Sequence, residues 1–232
     1  MADSGIGCDL RKGRFWGYVQ CNIERAVQRR AFSGIEAKRV ADLQAGGAVS
    51  RAGSSDVAVM TLSSGTLGMY ADDGTGNKVM IGPIFRGRVF NIIDIYNETV
   101  AYPIRALSTA NVFFLPKQRF DELKEDALFK DWCTASVVNN LSHVVNFSSA
   151  LRVSDIDLRV IRMLEACYLQ MHERPPEGDF EIEWQLKQQE FSSLLNITRP
   201  YLNERLKLLK QKGVLIIENE RAIVRPSLLS NR

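Results

Sequence analysis

Between Gln185 and Gly213 the chain places six basic side chains (Lys187, Arg199, Arg205, Lys207, Lys210 and Lys212) against only two acidic ones, Glu190 and Glu204. Gln188, Gln189, Thr198, Tyr201 and Asn203 interleave neutral hydrogen-bonding groups with those cations. Cations beside amides and hydroxyls suit a phosphate backbone flanked by base edges. The whole chain, with 30 Lys+Arg and 27 Asp+Glu, carries only +3. So weak a global bias names no partner, and the local concentration is what carries information.

Other reactive side chains form no comparable set. Cys8, Cys21, Cys133 and Cys167 are too scattered for a disulfide framework. Cys8 and Cys21 have no third cysteine nearby, which argues against an iron–sulfur cluster. A redox role for Cys8, Cys21 or Cys133 stays open beside the commoner reading as buried structural thiols. His143 and His172 lack a paired base or nucleophile, so the chain is expected not to be an enzyme. Nothing selects His143 as a haem ligand. Asp72 to Asn77 resembles a calcium loop but lacks the later bidentate Glu, and reads instead as a hairpin turn. No Gly-Lys-Ser/Thr phosphate cradle occurs. The expectation is no cofactor and no metal.

The basic stretch needs elements to position it, and local signals supply them. Phe191, Leu194 and Leu195 line a short helix, and Asn196 stands where a tight turn needs a left-handed residue. Ile197 plugs the turn, Thr198 caps the next helix, and Pro200 falls in its first turn, where a missing N–H costs little. Leu202, Leu206 and Leu209 give that helix its buried stripe, and Gly213 ends it. Val214 to Ile217 and Ala222 to Val224 flank Glu218–Arg221 as a β-hairpin. Helix, turn, helix and hairpin make a winged helix-turn-helix.

Upstream, Phe129 to Leu151 holds no Gly or Pro and reads as one long helix. Val137, Leu141, Val144, Ser148 and Leu151 recur along it at spacings of 4, 3, 4 and 3. Such a seam serves dimerisation, or else packing on its own domain. Ser154 is the N-cap expected for a helix from Ile156 to about Met171, and Arg174 to Asp179 is a loop. A domain boundary falls near Arg152–Ser154.

The stretch from Ala45 to Leu115 is β-prone and rich in turns. Val57–Leu62, Leu67–Tyr70, Lys78–Ile81, Val89–Tyr96 and Asn111–Leu115 are the expected strands of a sandwich, roll or barrel. Ile23–Phe32 and Lys117–Leu128 are the flanking helices expected. No apolar run approaches the roughly 18 residues of a membrane span, and the N-terminus has no signal-like apolar segment. A cytoplasmic chain without a membrane partner is expected.

From Lys187 to Leu215 the sequence resembles, without a gap, the helix-turn-helix pattern of the CRP/FNR family of transcriptional regulators. The order of β-rich region, long helix and terminal winged helix is also similar. The resemblance implies an α+β fold: a cyclic-nucleotide-binding-like β-roll over residues 1–128, a dimerisation helix over 129–152, and a winged helix-turn-helix over 153–232. It implies a homodimer on double-stranded DNA, with RNA polymerase as a further partner. The DNA contacts would be Lys187, Gln188, Gln189, Thr198, Arg199, Tyr201, Asn203 and Arg205, and the dimer contacts Val137, Leu141, Val144, Ser148 and Leu151.

Two departures sharpen this expectation. The segment matching the family's ribose-binding Gly-Glu reads Gly82-Pro83-Ile84-Phe85-Arg86-Gly87-Arg88-Val89, without a carboxylate. Val100-Ala101-Tyr102 stands where its phosphate-binding Arg would fall, and Arg105 comes late. A buried phosphate without a fixed guanidinium is uncompensated charge, so independence from cyclic AMP is expected. In the second helix Arg199 fits the family pattern, but Pro200 replaces a Glu and Glu204 replaces an Arg. Either a different DNA sequence is read, or the chain works by protein–protein contact with its DNA reading weakened.

Overall fold

The computed structural model describes Ala31 and residues 33–34, 38–39, 57–90, 103–184 and 186–229. Most of the expected helix Ile23–Phe32, the greater part of the strand Val89–Tyr96, Cys8, Cys21, Val100–Tyr102 and Gln185 lie outside these residues.

β-Branched and apolar runs between turn signals form the first sheets. These are β1 (Lys38–Arg39), β2 (Val57–Ser64), β3 (Leu67–Asp72), β4 (Lys78–Ile84), β5 (Val89–Phe90), β6 (Ile104–Ala106) and β7 (Asn111–Pro116). One sheet runs β1-β7-β2-β5 and a second β4-β3-β6, with every pairing antiparallel. Met60, Leu62, Leu67, Ile84, Phe90, Ile104, Ala110 and Val112 fill the space between them. Gly65 turns β2 into β3 at φ +83, where a Cβ would strike the carbonyl of Thr109. At the β3–β4 hairpin, Asp72 accepts from the N–H of Gly74 (2.8 Å) and Asp73 from that of Thr75 (2.8 Å). Both carboxylates are thus occupied in building the turn.

The expected helix Lys117–Leu128 is two elements: α1 (Lys117–Leu123) and the start of α2 (Ala127–Leu151). Asp126 makes the break, its carboxylate accepting from the N–H of Phe129 at 3.0 Å as the N-cap of α2. Val59, Val89, Leu115, Phe120, Phe129 and Trp132 bury this corner against the first sheet.

A short connector leads to α3 (Ile156–His172). Its N-cap is Asp155, not Ser154, and accepts from Leu158 N–H at 2.9 Å. The one-residue difference is physical, since a carboxylate caps as well as a hydroxyl and also favours the positive end of the helix dipole. The sequence did not reveal β8 (Phe180–Glu183), whose Phe180 and Ile182 point inward while Glu181 and Glu183 point out. Then follow α4 (Gln188–Leu194), α5 (Arg199–Gln211), β9 (Leu215–Glu218) and β10 (Arg221–Val224). The sheet order is β8-β10-β9, all antiparallel.

A continuous apolar core joins this last unit to the first. Met80 and Phe85 of the β-region and Phe147 of α2 share it with Val160, Met163, Phe191, Leu202 and Leu215, among others. Met80 N–H also donates to Ser193 Oγ at 3.1 Å, linking β4 to α4. Among the described residues no helix is long and apolar enough to cross a membrane.

Candidate nucleic-acid interface

Residues 195–198 join α4 to α5 and set the angle between them. Asn196 takes φ 53, the left-handed conformation its type tolerates. Ile197 is half-buried against the core, and its N–H returns to Ser192 O at 3.1 Å. Thr198 caps α5, its hydroxyl accepting from Tyr201 N–H at 3.4 Å, with Pro200 in the first turn. Phe191, Leu194, Leu195, Leu202, Leu206 and Leu209 are buried, and Trp184 packs edge-on against Phe191 at 5.1 Å.

Gly213 follows α5 at φ +68. Its N–H bonds to Lys210 O (3.0 Å), while Val214 N–H bonds to Leu209 O (3.0 Å), the paired closure of a Schellman motif. The hairpin tip, Asn219 and Glu220, has φ 47 and 61, as a tight turn between twisted strands requires.

With its apolar stripe buried, α5 turns the opposite face outward. Arg199, Tyr201 and Asn203 are exposed there beside Thr198, with Pro200 and Glu204 on the same helix. Lys187, Gln188 and Gln189 are exposed at the start of α4. Gln188 and Asn203 meet across a groove of about 490 Å³ that Trp184, Leu206, Lys207 and Ile217 also line. Exposed Lys207 and Lys210 therefore adjoin the expected contact residues. Their basic type was visible in the sequence, but not their position beside the hairpin.

Arg205 is placed differently from its expected companions. Its Nε donates to Asp157 Oδ1 at 2.9 Å, and Nη2 lies 2.7 Å from the same oxygen. Lys212 Nζ reaches Asp157 Oδ2 at 3.2 Å. The hydrogen bond to Asp157, aided by its charge, raises the pKa of Arg205 further. Two of the six cations are thus engaged within the protein, leaving Lys187, Arg199, Lys207 and Lys210 outward.

On α2 the expected seam divides. Val137 packs on the chain's own core, and Leu151 is half-buried in the same way. Leu141 (61% exposed), Val144 (48%) and Ser148 face solvent. Val138 (52%) and Val145 (54%) extend this uncovered apolar strip, although neither lies on the 4, 3, 4, 3 spacing of the expected seam.

The segment Gly82–Val89 ends β4 and turns into β5. Phe85 is buried in the core shared with the C-terminal unit. Arg88 is also buried and donates to Gln170 O at the end of α3, with Glu173 Oε1 3.7 Å away. Arg105 lies 5.2 Å over the ring of Tyr70. His143 is buried on α2 with neither ring nitrogen hydrogen-bonded. Burial first, and Arg88 second, push its pKa down to about 3. Burial pushes the Cys133 and Cys167 thiols up to about 12, far from the thiolate form that reacts. Among the described residues no group of three His, Cys, Asp or Glu could hold a metal ion.

Residues 40–127 match the model of the cyclic nucleotide-binding domain family. No curated protein sequence matches the chain. Among solved structures it is similar to a mutant of CooA from Carboxydothermus hydrogenoformans, at 16% identity and TM-score 0.64, over 88% of this chain and 91% of that one. It is similar to the c-di-GMP-responsive global regulator CLP of Xanthomonas campestris, at 16% identity and TM-score 0.60, over 87% and 99% of the two chains. A CRP-family transcriptional regulator from Thermus thermophilus is 14% identical at TM-score 0.60, over 82% and 94%. The fold is that of the CRP/FNR transcriptional regulators. Within this CRP/FNR fold the cyclic nucleotide-binding-type domain precedes the long helix α2, as the sequence resemblance implied.

Proposed function

We propose that the chain is a transcriptional regulator that binds double-stranded DNA as a homodimer through a winged helix-turn-helix. The observation that carries this reading is the outward face of α5, where exposed Arg199, Tyr201 and Asn203 follow a capped N-terminus. The N-terminal side chains of a helix in that position reach base edges in the major groove. Lys187, Gln188 and Gln189, with Lys207 and Lys210, would hold the backbone phosphates. Arg205 is given a structural role instead, because its guanidinium is engaged by Asp157.

In this reading residues 1–128 sense, 129–152 dimerise and 153–232 bind DNA. The exposed Val138, Leu141, Val144 and Val145 strip of α2 meets its copy across a two-fold axis. Two α5 helices then address half-sites about 34–36 Å apart. Control needs no cyclic AMP, since Gly82–Val89 offers no carboxylate to a ribose and spends Arg88 on α3. As an activator, such a regulator would take RNA polymerase as a further partner; as a repressor it would need only DNA.

Genome-wide DNA occupancy, followed by a mobility shift on the recovered fragments, tests the reading. Enriched fragments should outcompete random DNA, and binding should weaken steeply with salt. Equal competition by random DNA at low salt sinks it in favour of protein–protein action. Titration calorimetry should give no heat with cyclic AMP or cyclic GMP, and micromolar binding of either removes the claim of independence.

A further inference from the structure

Asp157 is a charged side chain in the first turn of α3, only 4% exposed, and the DNA-contacting face does not include it. A carboxylate so buried needs partners, and it has two: Arg205 on Oδ1 and Lys212 on Oδ2. Arg205 lies within α5 and Lys212 is its C-cap, about two helical turns on and therefore on one face. Held at both points, α5 cannot roll about its axis or slide without breaking a contact.

The other end of this tie is equally well held. Asp155 caps α3 at Leu158 N–H, and Arg159 Nε donates to Val153 O at 2.8 Å. Arg152 and Val153 N–H groups return to Ser149 O and Ala150 O, both at 3.2 Å. The connector from α2 to α3 is thus closed by hydrogen bonds, leaving a continuous path from the long helix through Asp157 to α5.

We infer that Asp157 is a positioning residue: by pinning Arg205 and Lys212 to the first turn of α3, it sets the angle at which α5 presents Thr198, Arg199, Tyr201 and Asn203 to DNA. This rests on the DNA-binding reading. The same contact withdraws two cations from the set that would otherwise attract any phosphate. Asp157 therefore governs discrimination between sequences more than raw affinity for DNA.

The test compares the full chain with Asp157→Asn and with Asp157→Asn/Arg205→Met, which removes one of the cations left unpaired. Each is titrated over a salt series with the best duplex recovered by selection from genomic fragments and with a random duplex of equal length. In both variants the preference for the selected duplex should fall about tenfold or more. For Asp157→Asn, affinity for random DNA should hold or rise, with a steeper salt slope as the freed cations meet phosphate. Preference kept within about twofold in either folded variant overturns the inference, as does an equal loss on both duplexes, which marks a merely structural role. Should Asp157→Asn fail to fold, the double variant decides. A parent chain that shows no preference overturns the DNA-binding reading and this inference with it.

Discussion

Arg199 and Arg205 are chemically identical and lie on one helix, yet their surroundings give them different work. Arg199 has exposure and follows the α5 cap, whereas Arg205 is folded back on Asp157. Arg199→Ala should cost about 1–3 kcal/mol in binding the selected duplex and relax preference at one base position. Competition titration with single-base variants of the duplex reads both effects. A uniform loss across all the variants would assign Arg199 to phosphate instead. Thr198→Ala removes the α5 cap as well as one of the proposed DNA contacts. It should lower unfolding stability by about 1 kcal/mol, measured by urea denaturation.

At the scale of elements, α2 is the least self-sufficient. Its inward side is anchored by Phe129, Trp132 and Phe147, while Val138, Leu141 and Val145 remain uncovered at intervals suited to a second helix. A contiguous apolar strip of this kind favours association over hydration. Leu141→Glu should shift sedimentation from dimer toward monomer at micromolar concentration, and Val145→Glu should act in the same direction. Val137→Glu is the informative contrast, because Val137 touches the chain's own core and its loss should lower unfolding stability as well. A dimer unaffected by both outward substitutions would place the interface elsewhere.

The molecule as a whole joins its β-region to its C-terminal unit through buried polar groups as well as the shared core. His143 lies beside Arg88, whose guanidinium reaches α3. The native pKa of about 3 lies below the ordinary 6.5, so between those values the unfolded chain binds a proton that the native chain refuses. Stability contributed by neutral His143 is therefore full above about pH 6.5 and falls as pH drops toward 3. His143→Leu should shrink the difference between urea midpoints at pH 7 and pH 5. An unchanged difference would assign the acid sensitivity to other groups.

The helices α4 and α5 and the turn between them were legible from sequence because their signals are local: Asn196, Thr198, Pro200 and Gly213 act on backbone within a few residues of themselves. The β-region was legible as strands between turns, and the long helix as a run without Gly or Pro. Three features were not legible, each for a reason of distance. The strand β8 is short, and Arg174 to Asp179 advertised only a loop before it; pairing with β10 decides its conformation. Which valines of α2 face outward depends on how the helix is rolled against the β-region, and neighbouring Val137 and Val138 fall on opposite sides of that choice. Arg205 finds Asp157 across 48 residues of chain, a contact that no spacing rule anticipates. Sequence alone determined most of the elements and the chemistry they carry, since both arise largely from neighbours in the chain. Only the tertiary structure decided which cations stay free for a partner, because a buried carboxylate claims its counter-ions by proximity in space.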